Sequence, residues 1–191
     1  KTAQKSTKLA GFVKTPSLYF EYFDELWRNN SRITTVGDFT PSYSMLDQSG
    51  FSYARAELLK RGFTIKAVFI MRDPVERIWS MLHQQNKVQK MLDAGKNPTK
   101  RSFSLDSFTG SGAELRTRYE RTIIELEKTF SRDEIYYDFY ERYIAEDRFS
   151  TLLNFIGVQS TYTPKIDQVK NGSLLKGQID PTLARQVARH Y

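Results

Sequence analysis

The sequence predicts an α/β domain built on a small parallel sheet flanked by helices, and three observations predict it. Short runs of strand character alternate with stretches in which apolar residues recur every three or four positions. The strand-like runs are separated by whole helical segments, too far apart to close as hairpins. One run, Ala67-Val68-Phe69-Ile70-Met71, is apolar at every position, the composition of a strand buried on both faces. The 191 residues fit a single domain, 1–191, large enough to enclose a core.

Taken in order, residues 1–14 are polar and basic without periodicity. Thr15-Pro16 is a cap and first-turn pair for a helix whose stripe Leu18, Tyr22, Phe23, Leu26 and Trp27 is expected in the core. Residues 33–36, Ile-Thr-Thr-Val, read as a short strand ending at Gly37-Asp38-Phe39-Thr40-Pro41-Ser42-Tyr43. A helix from Ser52 to Arg61 is stopped by Gly62. The apolar run 67–71 then feeds directly into a second helix: Asp73 is a good N-cap, Pro74 suits the first helical position, and Glu76 stands three residues after the cap. Residues 94–102 read as a loop, and Ser111 to Phe130 as one long helix with Leu115, Tyr119, Ile123, Leu126 and Phe130 on its inner stripe. A strand from Glu134 to Phe139, helical turns through Tyr143–Ile144 and from Phe149 to Ile156 with Gly157 as stop, an aperiodic stretch 163–179 and a helix opening at Asp180-Pro181 complete the chain.

Composition narrows the function. Net charge is +7 and the pI is near 9.5, which favours anionic partners. The cations are interleaved with acids and form no long run, so nucleic acid is not the expected partner. With no cysteine there is no disulfide framework, zinc–thiolate site or thiol nucleophile, and no His/Asp/Glu cluster suggests another metal. No apolar run reaches the roughly 20 residues of a membrane span. The missing cysteines set the expectation of a cytoplasmic protein, or a Golgi-lumenal one if an anchor lies upstream.

A strand that runs into a helix start with an arginine at the junction is a natural seat for phosphate, because free backbone N–H groups and a guanidinium converge there. The bland alternative is a surface arginine paired with a neighbouring acid. Arg72-Asp73-Pro74-x-x-Arg77-x-x-Ser80 resembles the R-D-P-x-x-R-x-x-S signature of sulfotransferases that use 3′-phosphoadenosine 5′-phosphosulfate (PAPS), in their heparan-type and bacterial forms. The resemblance implies a P-loop-NTPase-like sulfotransferase architecture, with Arg72 and Ser80 holding the donor's 3′-phosphate. Gly37 to Tyr43 resembles the family's G-E-K-T/S-P-x-Y segment at the acceptor site, with Asp38 for the glutamate and Phe39 for a lysine that assists the leaving group. Tyr140-Glu141 is similar to the Y-E that ends a family strand, and Arg116-x-x-Tyr119 to a helix whose arginine faces the donor; the alternative for Arg116 is an exposed arginine beside a core tyrosine. Lys1 and Thr2 resemble the start of the loop that wraps the 5′-phosphosulfate, and Lys176 and Gly177 a late loop over the 3′-phosphate and adenine. The family's first strand and much of that first loop are absent from the residues present, so the domain is expected to be incomplete at its N-terminus.

The implied reaction is transfer of a sulfuryl group from PAPS to an acceptor hydroxyl or amine, leaving 3′,5′-bisphosphoadenosine, without a metal. The acceptor, a carbohydrate or small molecule by expectation, must lose a proton. Asp38, by its place in the acceptor segment, and His83, one helical turn beyond Ser80, are equal candidates for the base. A P-loop kinase would need G-x-x-x-x-G-K-[ST], which the chain lacks. A non-catalytic nucleotide- or polyanion-binding module is the alternative, on account of Phe39 and the incomplete first loop.

Overall fold

The computed structural model describes residues 11–12, 14–92, 106–145, 148–159 and 179–191. Its elements are α1 (Ser17–Arg28), a 3-10 turn (Pro41–Met45), α2 (Gln48–Lys60), β1 (Ala67–Met71), α3 (Pro74–Leu92), α4 (Asp106–Thr109), α5 (Ser111–Thr117), α6 (Tyr119–Glu127), a second 3-10 turn (Arg132–Glu134), β2 (Ile135–Phe139), α7 (Tyr140–Ala145), α8 (Phe149–Phe155) and α9 (Pro181–His190). The class is α/β, as expected. β1 and β2 pair in parallel, from Ala67 opposite Ile135 to Met71 opposite Phe139, so their C-terminal ends lie side by side. Both strands lead within two residues into a helix, and that shared rim positions the candidate site.

Two apolar clusters hold the layers together. Ile78, Trp79 and Leu82 of α3 pack with Phe108, Ala113, Leu183 and Val187, so α3 is held by α4, α5 and α9. Phe51, Leu126, Phe130 and Ile135, with Phe69 and Tyr137 at their margin, join α2 and α6 to one face of the sheet. On the other face Tyr136 meets Phe155 of α8 at 5.4 Å, and Asp138, only 3% exposed, is satisfied by the Tyr136 hydroxyl, the Phe139 N–H and Arg148. A buried carboxylate is tolerated on these terms because its oxygens are hydrogen-bonded and its charge is paired.

Local chemistry explains most helix ends. Asp47 accepts the Gly50 N–H at 2.9 Å and starts α2 at Gln48, four residues before the expected start at Ser52; the Glu125 carboxylate takes the Gln48 N–H at 2.6 Å. Gly62 (φ 83°) and Gly157 (φ 72°) terminate α2 and α8 in the left-handed region that side chains disfavour. Asp180 caps α9 through the Thr182 and Leu183 N–H groups, with Pro181 at its first position.

Three expectations are corrected. Residues 33–36 form no strand: β-branched residues supply propensity, but a strand exists only through a ladder, and these residues have no ladder partner among the described residues. The helix expected over 111–130 is two helices. Arg118 (φ −72°, ψ 75°) breaks it, so that Thr117 faces α3 while Tyr119 turns to the end of β1. The α1 stripe is not the core face, since Leu18, Tyr22 and Leu26 are exposed. Phe20 is buried instead, edge-on to Tyr53 and beneath Arg61, while Trp27 stacks near Phe63, because α2 packs against that side of α1.

Candidate functional site

The rim begins at the β1–α3 junction. Asp73 caps α3 by accepting the Glu76 N–H at 2.9 Å. A complete capping box would have Glu76 return the bond to the Asp73 N–H. Here Glu141, one residue into α7, takes that N–H at 3.0 Å. The end of β2 thus stitches itself to the start of α3, and the Glu76 carboxylate is left to pair with Arg72 Nη2 at 3.2 Å. The Arg72 guanidinium also lies 5.2 Å over the Tyr140 ring, and its Nε is buried with no partner among the described residues. The paired-acid alternative therefore describes part of what Arg72 does.

Tyr119 locks the same junction from α6. Its hydroxyl donates to the Arg72 carbonyl at 2.8 Å and accepts from the Arg72 N–H at 3.4 Å, and its ring stands edge-on to Phe69. Burial, with smaller contributions from Glu141 and Asp73, raises the phenol above its usual range, opposed by the bond to Arg72 and the charge of Arg77. A neutral tyrosine is what a donor to a carbonyl must be. On α5, Arg116 Nη2 donates to Ser42 Oγ at 2.9 Å, tying the 3-10 turn to this helix. The Ser44 carbonyl accepts from Thr122 and Arg121 of α6 in the same way.

The two expected bases lie in separate networks. Asp38 accepts from three hydroxyls, those of Tyr19 at 2.9 Å, Tyr43 at 2.5 Å and Thr40 at 2.7 Å. Desolvation pushes its carboxyl up, but these donors outweigh it and hold the group below the usual carboxylate range. Tyr43 and Tyr19 are both raised, by burial first; the bond to Asp38 adds to this for both, and Tyr43 adds to it for Tyr19. A carboxylate stabilised by three donors is a weaker base than a free one. His83 folds back along α3, with Nδ1 3.1 Å from the Trp79 carbonyl and its ring 4.2 Å from the Trp79 ring. A carbonyl only accepts, so Nδ1 is the donor in this bond.

Arg72 and the Tyr140-Glu141 pair are thus brought together, and Tyr119 and Arg116 link them through α5 and α6 to the 3-10 turn after Asp38. Ser80 is half-buried on α3, one turn beyond Glu76. Lys1, Thr2, Lys176 and Gly177 lie outside the described residues, as does the loop 94–102. Phe39 is 83% exposed, the most outward of the large apolar side chains among the described residues. No group of three or more potential metal ligands occurs among the described residues, and no helix among them is long and apolar enough to cross a membrane. No protein-family profile, curated protein or solved structure matches the chain, so the residues and their geometry carry the functional argument. The roles of Glu141 as a cap, Tyr119 as a lock and Tyr19 as an Asp38 donor were not read from the sequence; only the Y-E pair and the Arg-x-x-Tyr spacing signalled the first two.

Proposed function

We propose that the chain is a PAPS-dependent sulfotransferase domain of P-loop-NTPase-like architecture, transferring a sulfuryl group to an acceptor hydroxyl or amine. The observation that carries this reading is the β1–α3 junction: Arg72 follows a parallel strand at the start of a helix, with Tyr140-Glu141 at the end of the neighbouring strand. Ligands of open parallel sheets bind beyond the C-terminal ends of the strands. Arg72 is the ligand for the donor's 3′-phosphate, and Ser80 its hydroxyl partner. Exposed Phe139, adjacent to Tyr140, gives the adenine an apolar surface.

In such a transfer the acceptor oxygen or nitrogen attacks sulfur in line, the S–O bond to the bisphosphate nucleotide breaks, and the acceptor proton passes to a base. Asp38 is the base nearest the acceptor segment, and Tyr43 is the hydroxyl through which its protonation is tuned. His83, on α3 one turn beyond Ser80, is the other candidate for that base.

The test is calorimetric titration with 3′,5′-bisphosphoadenosine against AMP. The bisphosphate binds at least tenfold tighter, and Arg72→Ala removes the difference. Equal weak binding of both nucleotides, or full retention in Arg72→Ala, overturns the reading. The second reading, a domain that binds the donor without turnover, is favoured by exposed Phe39 in place of a cation and by the triply bonded Asp38 carboxylate. Preserved bisphosphate binding with no sulfuryl transfer to any of a panel of phenols, amines and saccharides would select it.

A further inference from the structure

The two oxygens of Asp38 are not equally engaged. Two phenols stand at Oδ2, the Tyr43 hydroxyl at 2.5 Å and the Tyr19 hydroxyl at 2.9 Å, and they lie 2.9 Å from one another. Oδ1 has one donor among the described residues, the Thr40 hydroxyl at 2.7 Å. An ionised carboxylate oxygen offers two acceptor positions. Whichever oxygen receives the Tyr19 proton, the two hydroxyls fill the surroundings of Oδ2. Oδ1 keeps one position open, on a side chain that is exposed to solvent.

The Thr40 hydroxyl is diverted from a local use. Thr40 precedes the 3-10 turn Pro41–Met45, where a threonine side chain commonly caps the first free N–H groups. It makes no capping bond and turns back two residues to Asp38 instead. The Tyr43 N–H is met by the Thr40 carbonyl at 3.1 Å.

We propose that Asp38 receives the acceptor's proton on Oδ1, and that Thr40 is a positioning residue, which confines the acceptor to the one open position on that oxygen. This rests on the sulfuryl-transfer reading with Asp38 as its base. In the step, an acceptor lone pair forms the bond to sulfur, and the S–O bond to the nucleotide breaks with its electron pair leaving on the bisphosphate. The O–H or N–H proton of the acceptor passes to Oδ1, its bonding pair stays on the acceptor, and the carboxyl becomes neutral. With Thr40 on the other Oδ1 position, the acceptor hydrogen has a single approach. That fixes the attacking atom against sulfur, where small misplacements cost rate.

The experiment follows transfer from PAPS to phenol and to aniline across pH, with 3′,5′-bisphosphoadenosine affinity measured alongside. Burial pushes the Asp38 carboxyl up, and the bonds from Tyr43, Thr40 and Tyr19 outweigh it. Thr40→Val removes one of those bonds, so the acidic limb of kcat/KM moves to higher pH. Its plateau kcat falls at least about tenfold, because the acceptor is no longer held to one approach. Thr40→Ser returns the hydroxyl and restores both. Tyr19→Phe opens Oδ2 instead, and moves the limb the same way with a smaller fall in kcat. An unchanged plateau or an unmoved limb in Thr40→Val overturns the proposal. So does a fall in Tyr19→Phe as large as that in Thr40→Val, or full transfer by Asp38→Asn. Retained bisphosphate affinity reports that each variant is folded, and Thr40→Ala gives a second reading of the same loss. Absence of transfer by the unmodified chain is a different failure. It removes the sulfuryl-transfer reading and this assignment together, whereas an active chain indifferent to Thr40 removes the assignment alone.

Discussion

Replacing Glu76 by Gln tests whether Arg72 is held in reserve for an anion. Glu76 Oε2 lies 3.2 Å from Arg72 Nη2, with the glutamate side chain 43% and the arginine side chain 26% exposed. Partly exposed pairs of this kind contribute roughly 0.2–1 kcal/mol. A phosphate arriving on the same guanidinium must displace that pair and meets a carboxylate of its own sign, a repulsion of about 1 kcal/mol at 4 Å in water. Glu76→Gln removes both terms, together about 1–2 kcal/mol, and should tighten 3′,5′-bisphosphoadenosine binding by about five- to thirtyfold. The gain should shrink as salt is raised through 0.1 M, where screening acts over about 10 Å. The variant should be slightly less stable, because Glu76 stands in the first turn of α3 and complements the helix dipole by about 0.3–1 kcal/mol. Calorimetry of wild type and variant at two salt concentrations reads the affinity, and a thermal melt reads the stability. Unchanged or weaker bisphosphate binding in a folded Glu76→Gln protein would refute the reasoning.

Other positions make independent claims. Tyr119→Phe keeps the ring against Phe69 but strips a partner from the Arg72 carbonyl, so urea unfolding should show a loss of about 1–3 kcal/mol; an unchanged midpoint would mean water replaces the hydroxyl. Gly62→Ala meets no atom within 4 Å, so its cost is purely that of the left-handed backbone, about 1–2 kcal/mol; a stabilised variant would contradict it. The Asp38 network should be strongest between about pH 4 and pH 10. The carboxyl is lowered in the fold, so its contribution is present above its unfolded value and lost as pH falls through the folded one. Tyr19 and Tyr43 are raised, so theirs is present below about pH 10 and lost as pH climbs through the folded values. Ultraviolet titration should find several late-ionising tyrosines, Tyr19, Tyr43, Tyr119, Tyr136, Tyr137 and Tyr191, of which Tyr19 and Tyr43 alone ionise earlier, yet still above the usual range, in Asp38→Asn; a titration curve unmoved by that substitution would count against the network.

The legible parts of this protein are those whose causes lie within a few residues. The all-apolar run 67–71 is β1, Asp73-Pro74 opens α3, Asp180-Pro181 opens α9, and Gly62 and Gly157 stop their helices at positive φ. The caps and stops are local backbone effects that act wherever the chain is placed, and the apolar run needs only one ladder partner, so these elements and the α/β class they compose follow from the sequence alone. It also put Arg72 at a strand–helix junction.

What surrounds Arg72 was decided only by packing. Residues 33–36 have strand propensity, but a ladder needs a partner, and none of the described residues supplies one. The helical pattern of 111–130 continues through Arg118, yet the chain bends there because Thr117 and Tyr119 are claimed by different neighbours. The half-finished capping box at Asp73 is completed by Glu141, sixty-eight positions away, and Asp38 is fixed by a tyrosine nineteen positions before it. That no carboxylate among the described residues pairs with Arg77 or Arg116 has the same origin: sequence spacing places acids within reach of many arginines, and only the fold decides which acids arrive.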